Sequence, residues 1–332
     1  MKIRYFAFRT GAVFMLALAL VLAVCRVPVE EGIIITISTE GVQSGDIDKV
    51  INDAIINGNG IDGSTPDKPL DLIINGLRFD NTLDMINIFD ALRKYYVNIT
   101  FGPGSGPVFN ALPLPDTQDK SKILSVALPG DIMCIGRRAF YGWTGLTTAN
   151  LPCVISVGSA AFYNCTGLKT VNLPAANFIA DGAFQNCTSL KTISLPMASF
   201  VGNRAFQNCT GLEMTSLPVA SFVSDYAFYG CINLERVEFP ALQFLGGHTF
   251  SNTGSKAIEL VFTLLYPPKF TDASGARITT GINLFDGSFG KKVTVNAPAY
   301  FDNYEVWGKK NGTDTEKAAI WGEGITVTYT SN

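Results

Sequence analysis

Six dipeptides recur at one fixed interval through the middle of this chain: Ala139-Phe140, Ala161-Phe162, Ala183-Phe184, Ala205-Phe206, Ala227-Phe228 and Thr249-Phe250, each 22 residues after the last. Other columns keep the same beat. Leu146, Leu168, Leu190, Leu212 and Leu234 form one, Cys165, Cys187, Cys209 and Cys231 a second, and Pro152, Pro174, Pro196, Pro218 and Pro240 a third. A unit this short cannot bury its apolar face alone, so successive units must stack as coils around a shared core. The chain is thereby committed to an elongated solenoid, with long repeated faces in place of one deep cleft.

The stretch Leu168-Lys-Thr-Val171-Asn-Leu173-Pro174 shows the unit. Leu168, Val171 and Leu173 point inward, and Pro174, which lacks an N–H, stands where ladder pairing stops. A period of 20–29 residues around a Leu-x-x-φ-x-Leu core marks a leucine-rich-repeat solenoid. The equivalent strands are Leu146–Leu151, Leu190–Leu195, Leu212–Leu217 and Leu234–Phe239, expected to pair in parallel about 4.8 Å apart. After each proline comes a second apolar column, Ile135, Val157, Ile179, Val201, Val223 and Leu245, which predicts another extended segment across the coil. The fold class is therefore α/β to mostly β, with short parallel strands and a cap at each end.

Four regions follow. Residues 1–24 read as a signal peptide, 25–128 as an N-terminal capping region, 129–262 as the array and 263–332 as a C-terminal cap. In the N-terminal region, Ile33–Ile37, Leu70–Leu77 and Val97–Phe101 read as strands, with helices over Asp46–Ile56 and Leu83–Tyr96, a βαβ order. Past 262 the beat stops; Val293–Pro298 and Ile325–Tyr329 read as strands around a polar segment with Tyr304, Trp307 and Trp321.

Lys2, Arg4 and Arg9 precede the apolar run Ala12–Val24, too short to span a bilayer comfortably and typical of an export signal. Leu22-Ala-Val-Cys25 is similar to a bacterial lipobox, which makes Cys25 the candidate lipid-bearing residue. Val24 departs from the small residue usual there, and ordinary signal-peptidase cleavage nearby is the other reading. Cleavage before Cys25 removes three positive charges and moves the net from −3 to −6. Charged residues are only 16 % of the chain, with no basic run, so no nucleic-acid partner is expected.

The unit Ala183-Phe-Gln-Asn-Cys-Thr-Ser-Leu-Lys-Thr-Ile-Ser-Leu-Pro196 resembles the BspA-like bacterial leucine-rich repeats, and Asp181-Gly-Ala-Phe184 and Ser224-Asp-Tyr-Ala-Phe228 carry the lead-in as well. The tail Ala319-Ile-Trp-Gly-Glu-Gly-Ile-Thr-Val-Thr328 is similar to the ends of such proteins in spirochaetes and Bacteroides-type bacteria. The resemblance implies a surface or secreted protein engaged in adhesion, without catalytic residues.

Two faces are candidates for binding. Phe178, Phe200, Phe222 and Phe244 form a column immediately before the inward Ile/Val/Leu column. Strand alternation turns it outward; a bend in the segment would turn it inward. The strand row presents Thr148/Asn150, Thr170/Asn172, Thr192/Ser194, Met214/Ser216 and Arg236/Glu238. The thiols of Cys165, Cys187, Cys209 and Cys231 read as a structural ladder of small buried side chains. A linear column does not converge on one point as zinc ligands do, and no metal or other cofactor is expected. Asn164-Cys-Thr, Asn186-Cys-Thr and Asn208-Cys-Thr match the glycosylation pattern only because the repeat consensus generates it. His248, the single histidine, has no nucleophile or metal partner in motif spacing.

These residues point to a non-catalytic, adhesin-like module at the bacterial surface or outer membrane, lipid-anchored, binding a host or bacterial protein or glycan. The alternative is a structural envelope lipoprotein with no soluble ligand. An enzyme is disfavoured because no acid, base and nucleophile converge.

Overall fold

A computed structural model describes residues 28–29, 32–38, 46–57, 63–75, 87–88, 90–102, 108–109, 120–254, 256–261, 269–271, 284–286, 288, 292–297 and 326–331. The expected export signal, Cys25, Tyr304, Trp307 and Trp321 lie outside these residues.

Each 22-residue coil carries two short strands. The first is the three-residue core of each expected strand: Thr148–Asn150, Thr170–Asn172, Thr192–Ser194, Met214–Ser216 and Arg236–Glu238. The second follows the proline: Cys134–Ile135, Ser156–Val157, Phe178–Ile179, Phe200–Val201, Phe222–Val223 and Phe244–Gly246. Pairing within the array is parallel, as in Phe200↔Phe222 and Met214↔Arg236. The strand cores are shorter than six residues because the flanking Leu and Pro turn the chain at both ends.

The row of first strands extends beyond the array on both sides. On the N-terminal side the paired positions are Ile34, Asp71, Asn98, Ser125, Thr148 and Thr170, with spacings that shorten toward the array. On the C-terminal side they are Thr192, Met214, Arg236, Glu259, Thr294 and Thr328. The row is split into two hydrogen-bonded sheets between Thr170–Asn172 and Thr192–Ser194. The longer N-terminal coils have room for helix in their return segments. Ile47–Asn57 is helical, with Val50, Ile51 and Ala54 buried on one face. From Val108–Phe109 onward a strand of two or three residues takes that place.

Down the core runs a column of phenylalanines, Phe140, Phe162, Phe184, Phe206, Phe228 and Phe250, all fully buried. Their centroids are 4.8 to 5.8 Å apart and their planes nearly parallel. Phe285 adds a seventh ring, 5.2 Å from Phe250. Residues 284–286 therefore repeat the Ala-Phe corner at a longer spacing, inside the region where the 22-residue beat is lost. Phe250 N donates to Leu284 O at 2.8 Å, and Asn252 N to Asp286 O at 2.7 Å, continuing the corner bonds of the preceding coils.

Candidate functional site

The four thiols of the Cys column are buried, and none of them is in a disulfide. Each donates to a carbonyl of the preceding coil: Cys165 Sγ to Phe140 O, Cys187 Sγ to Phe162 O, Cys209 Sγ to Phe184 O and Cys231 Sγ to Phe206 O, at 3.0 to 3.1 Å. This amends the expectation of small hydrophobes: the thiols are also coil-to-coil donors. Burial pushes the Cys165 and Cys187 thiols well above their ordinary pKa, so both stay protonated and able to donate. Thr253 stands at the same position of the last regular coil, donates to Phe250 O at 2.7 Å and meets Ser288 Oγ at 3.2 Å. Among the described residues no group of three His, Cys, Asp or Glu side chains is placed to hold a metal ion.

The Asn-Cys-Thr asparagines are structural. Asn164, Asn186 and Asn208 adopt positive φ (59°, 63° and 57°), a conformation Asn tolerates better than most residues. Their amides form a ladder, Asn186 Nδ2 to Asn164 Oδ1 at 2.7 Å and Asn208 Nδ2 to Asn186 Oδ1 at 3.1 Å.

On the strand face, Thr170, Asn172, Thr192 and Ser194 are exposed in two adjoining coils. Asn172 Nδ2 donates to Asn150 Oδ1 at 2.8 Å, and Ser125, Asn98 and Asp71 continue the same kind of ladder outside the array. Arg236 pairs with Glu238 at 2.9 Å and also with Glu259, and Ser216 Oγ donates to Glu238 at 3.2 Å. The hydrogen bond that Arg236 Nε donates to Glu238 Oε1 helps to hold the guanidinium charged. Arg236 and Glu238 thus spend part of their bonding capacity on each other and on neighbouring coils.

The second face resolves the two alternatives for the outer Phe column. Ile179, Val201, Val223 and Leu245 are fully buried, whereas Phe178 is 42 % exposed and Phe200, Phe222 and Phe244 are half-buried. The column faces outward. Phe178 stacks on Phe200 at 4.7 Å, Phe200 on Phe222 at 5.2 Å, and Phe244 tilts against Phe222 at 5.6 Å. Exposed Met133 and Ile155 stand one position before this column in earlier coils. Exposed Met197 and Val219 stand three positions before Phe200 and Phe222. The result is an apolar stripe along several coils.

A groove of about 810 Å³ lies beside this stripe, with Phe200 and Phe222 on its wall. Tyr141 and Tyr163, stacked at 5.0 Å, line it together with Arg138, Asp181, Gln185 and Arg204. The Arg138 guanidinium lies 5.3 Å from the Tyr141 ring, and that of Arg204 5.1 Å from Tyr226. His248 stacks on the same Tyr226 at 5.0 Å, with Ser251 Oγ 3.3 Å from its Nδ1. Sequence reasoning missed this groove. Its only signal is a column that keeps the period but not the residue type: Arg138, Ala160, Gly182, Arg204, Tyr226, His248.

The model of the BspA-type leucine-rich repeat region matches residues 118–222 and 199–268, as part of six copies. Among solved structures the chain is similar to a leucine-rich repeat protein of T. pallidum, at 26 % identity and a TM-score of 0.39 over 44 % of this chain and 75 % of that one. It is also similar to a leucine-rich repeat protein of Bacteroides ovatus, at 24 % identity and a TM-score of 0.35 over 63 % of this chain and 61 % of that one. A leucine-rich cell surface protein of Faecalibacterium prausnitzii matches at 16 % identity and a TM-score of 0.31, over 63 % of this chain and 80 % of that one. No curated protein matches the chain in sequence. The periodic columns, the parallel coils and the family match agree: this chain is built around a BspA-type leucine-rich repeat region spanning residues 118–268.

Proposed function

We propose that this chain is a non-catalytic interaction module of the bacterial cell surface, engaging a protein or glycan partner through the outer Phe face. The observation that carries this is the solvent-facing stack Phe178–Phe200–Phe222–Phe244. Each ring offers about 150–250 Å² of buriable surface. With Phe178 42 % exposed and Phe200, Phe222 and Phe244 half-buried, the four together expose on the order of 100–350 Å², and the exposed Met197 and Val219 beside them bring the apolar area toward the size of the largest patch on a typical monomer. Aromatic side chains are also frequent interface anchors. The polar strand face serves this role less well, because Asn150, Asn172, Ser216, Arg236 and Glu238 already bond to one another or to their neighbours.

Export and lipid attachment at Cys25 complete the proposal, and the flanking regions 25–128 and 263–332 close the two ends of the solenoid. The test has two arms. Protease added to intact cells should remove the protein, and Cys25→Ala should release it from the membrane fraction. The exported chain should then bind saturably to at least one immobilised extracellular protein or glycan. Resistance to protease on intact cells together with no saturable binding would favour the passive envelope component instead.

A further inference from the structure

The column Arg138, Ala160, Gly182, Arg204, Tyr226 and His248 holds positive φ throughout, between 54° and 60°. Left-handed backbone ordinarily selects Gly or Asn. Here the corner of each coil imposes it, and five of the six residues have a side chain. Side-chain size is thus free to vary at this position without changing the fold. The chain places Arg at 138 and 204 and leaves the two coils between them almost bare, at Ala160 and Gly182. That gap helps to open the groove.

Its walls have a definite electrostatic character. Tyr141 and Tyr163 lie with planes 3° apart, and Phe200 and Phe222 with planes 13° apart. Rings stacked along the solenoid cover each other's faces, so a ligand alongside meets their edges, the positive side of the quadrupole. A guanidinium resting on a ring keeps its in-plane N–H donors available, and Arg138 and Arg204 both rest on tyrosines. Against these two cations the lining has one carboxylate, Asp181, of which Oδ1 already accepts from Asn203 N at 2.9 Å. The groove is locally positive in a chain of net charge −3.

The remaining lining selects the kind of anion. Gln185, Asn203 and Ser224 supply both donors and acceptors, as vicinal hydroxyls require. An extended peptide would seek a free strand edge. The wall backbone is instead spent between coils: Ala160 N donates to Asp181 O, Gly182 N to Asn203 O and Arg204 N to Asp225 O, at 2.8 to 3.1 Å. Resting on the interaction role proposed above, we infer that the groove between the Phe200–Phe222 and Tyr141–Tyr163 stacks binds a short segment of a carboxylate-bearing oligosaccharide, a uronate-type glycan. Its volume lies in the range of roughly 300–1,000 Å³ usual for small-ligand sites.

The test is titration calorimetry on the full chain with three probes: oligogalacturonate, a neutral galacto-oligosaccharide of equal length, and poly-glutamate. Oligogalacturonate should bind, and the neutral sugar at least about tenfold more weakly. Arg138→Gln with Arg204→Gln should weaken oligogalacturonate by a similar factor. Gly182→Tyr should abolish its binding by filling the hollow. A Cβ at Gly182 meets only the flexible end of Gln185, at 3.1 Å, and the same corner already carries Tyr226. If Gly182→Tyr fails to fold by circular dichroism, Ala160→Tyr fills the neighbouring coil and decides the point. Binding of poly-glutamate alone, equal binding of the neutral sugar, undiminished oligogalacturonate binding in the filled variant, or no binding of any probe would each overturn the inference. Surface binding that persists in Gly182→Tyr would leave the interaction role standing while removing the glycan groove from it.

Discussion

The two phenylalanine columns make a controlled comparison, since the same residue recurs in neighbouring positions with opposite surroundings. Phe184 is fully buried and stacked on both faces, 5.1 Å from Phe162 and 5.4 Å from Phe206. Truncation to Ala loses the whole transfer free energy and leaves a cavity walled by the two neighbouring rings, a cost of about 3–5 kcal/mol. Phe178 is 42 % exposed and stacks on one ring, Phe200. Its truncation opens no closed cavity, and a little over half of the roughly 1.5–3 kcal/mol for burying such a side chain is at stake, about 1–2 kcal/mol. Urea denaturation followed by far-UV circular dichroism measures both, read from the midpoints at a common m-value. The expected result is a Phe184→Ala cost at least about twice that of Phe178→Ala. Equal costs would refute the reasoning, because Phe178 would then be a core residue and the outer stripe would not exist as a surface.

Other expectations follow from the columns. Cys187→Ser keeps a donor for Phe162 O, whereas Cys187→Ala removes it and enlarges the void; we expect Ala to be the costlier change, by up to about 1 kcal/mol in a denaturation series. This reverses the ranking that a purely apolar stack would give. A thiol reagent applied to the native chain and read out by peptide mass should modify exposed Cys153 and half-buried Cys134 while sparing Cys165, Cys187, Cys209 and Cys231 until the protein unfolds. Asn186→Asp preserves the tolerance for positive φ but removes the donor to Asn164 Oδ1, and should cost about 1–3 kcal/mol by the same denaturation assay.

Much of this architecture was legible in the repeat, because burial in a stacked coil imposes one residue type per position. Phe162, Leu168 and Val171 announce the core for that reason, and alternation at Phe200-Val201 correctly separates outside from inside. The C-terminal continuation was not legible, since Leu284-Phe285 follows Phe250 by a longer interval and Ser288 replaces the expected Cys. Pairing partners such as Thr294 and Thr328 keep register in space without keeping period in sequence. The donor role of the thiols was hidden because composition alone marks Cys as a small hydrophobe. The groove was hidden for the opposite reason. Its information lies in where the Arg138–His248 column breaks its pattern, and a search for regularity passes over the gap at Ala160 and Gly182.

The central claim is that the outer Phe face is a functional surface on an independently stable solenoid. Its most direct test compares wild type with the Phe200→Ser, Phe222→Ser double variant on whichever immobilised partner binds the exported chain. We expect binding to fall at least about tenfold while the far-UV spectrum at the assay temperature stays that of wild type, with the melting point lowered by about 5–15 °C because two half-buried, stacked rings are lost. A double variant that folds as wild type and binds its partner at full strength would contradict the claim.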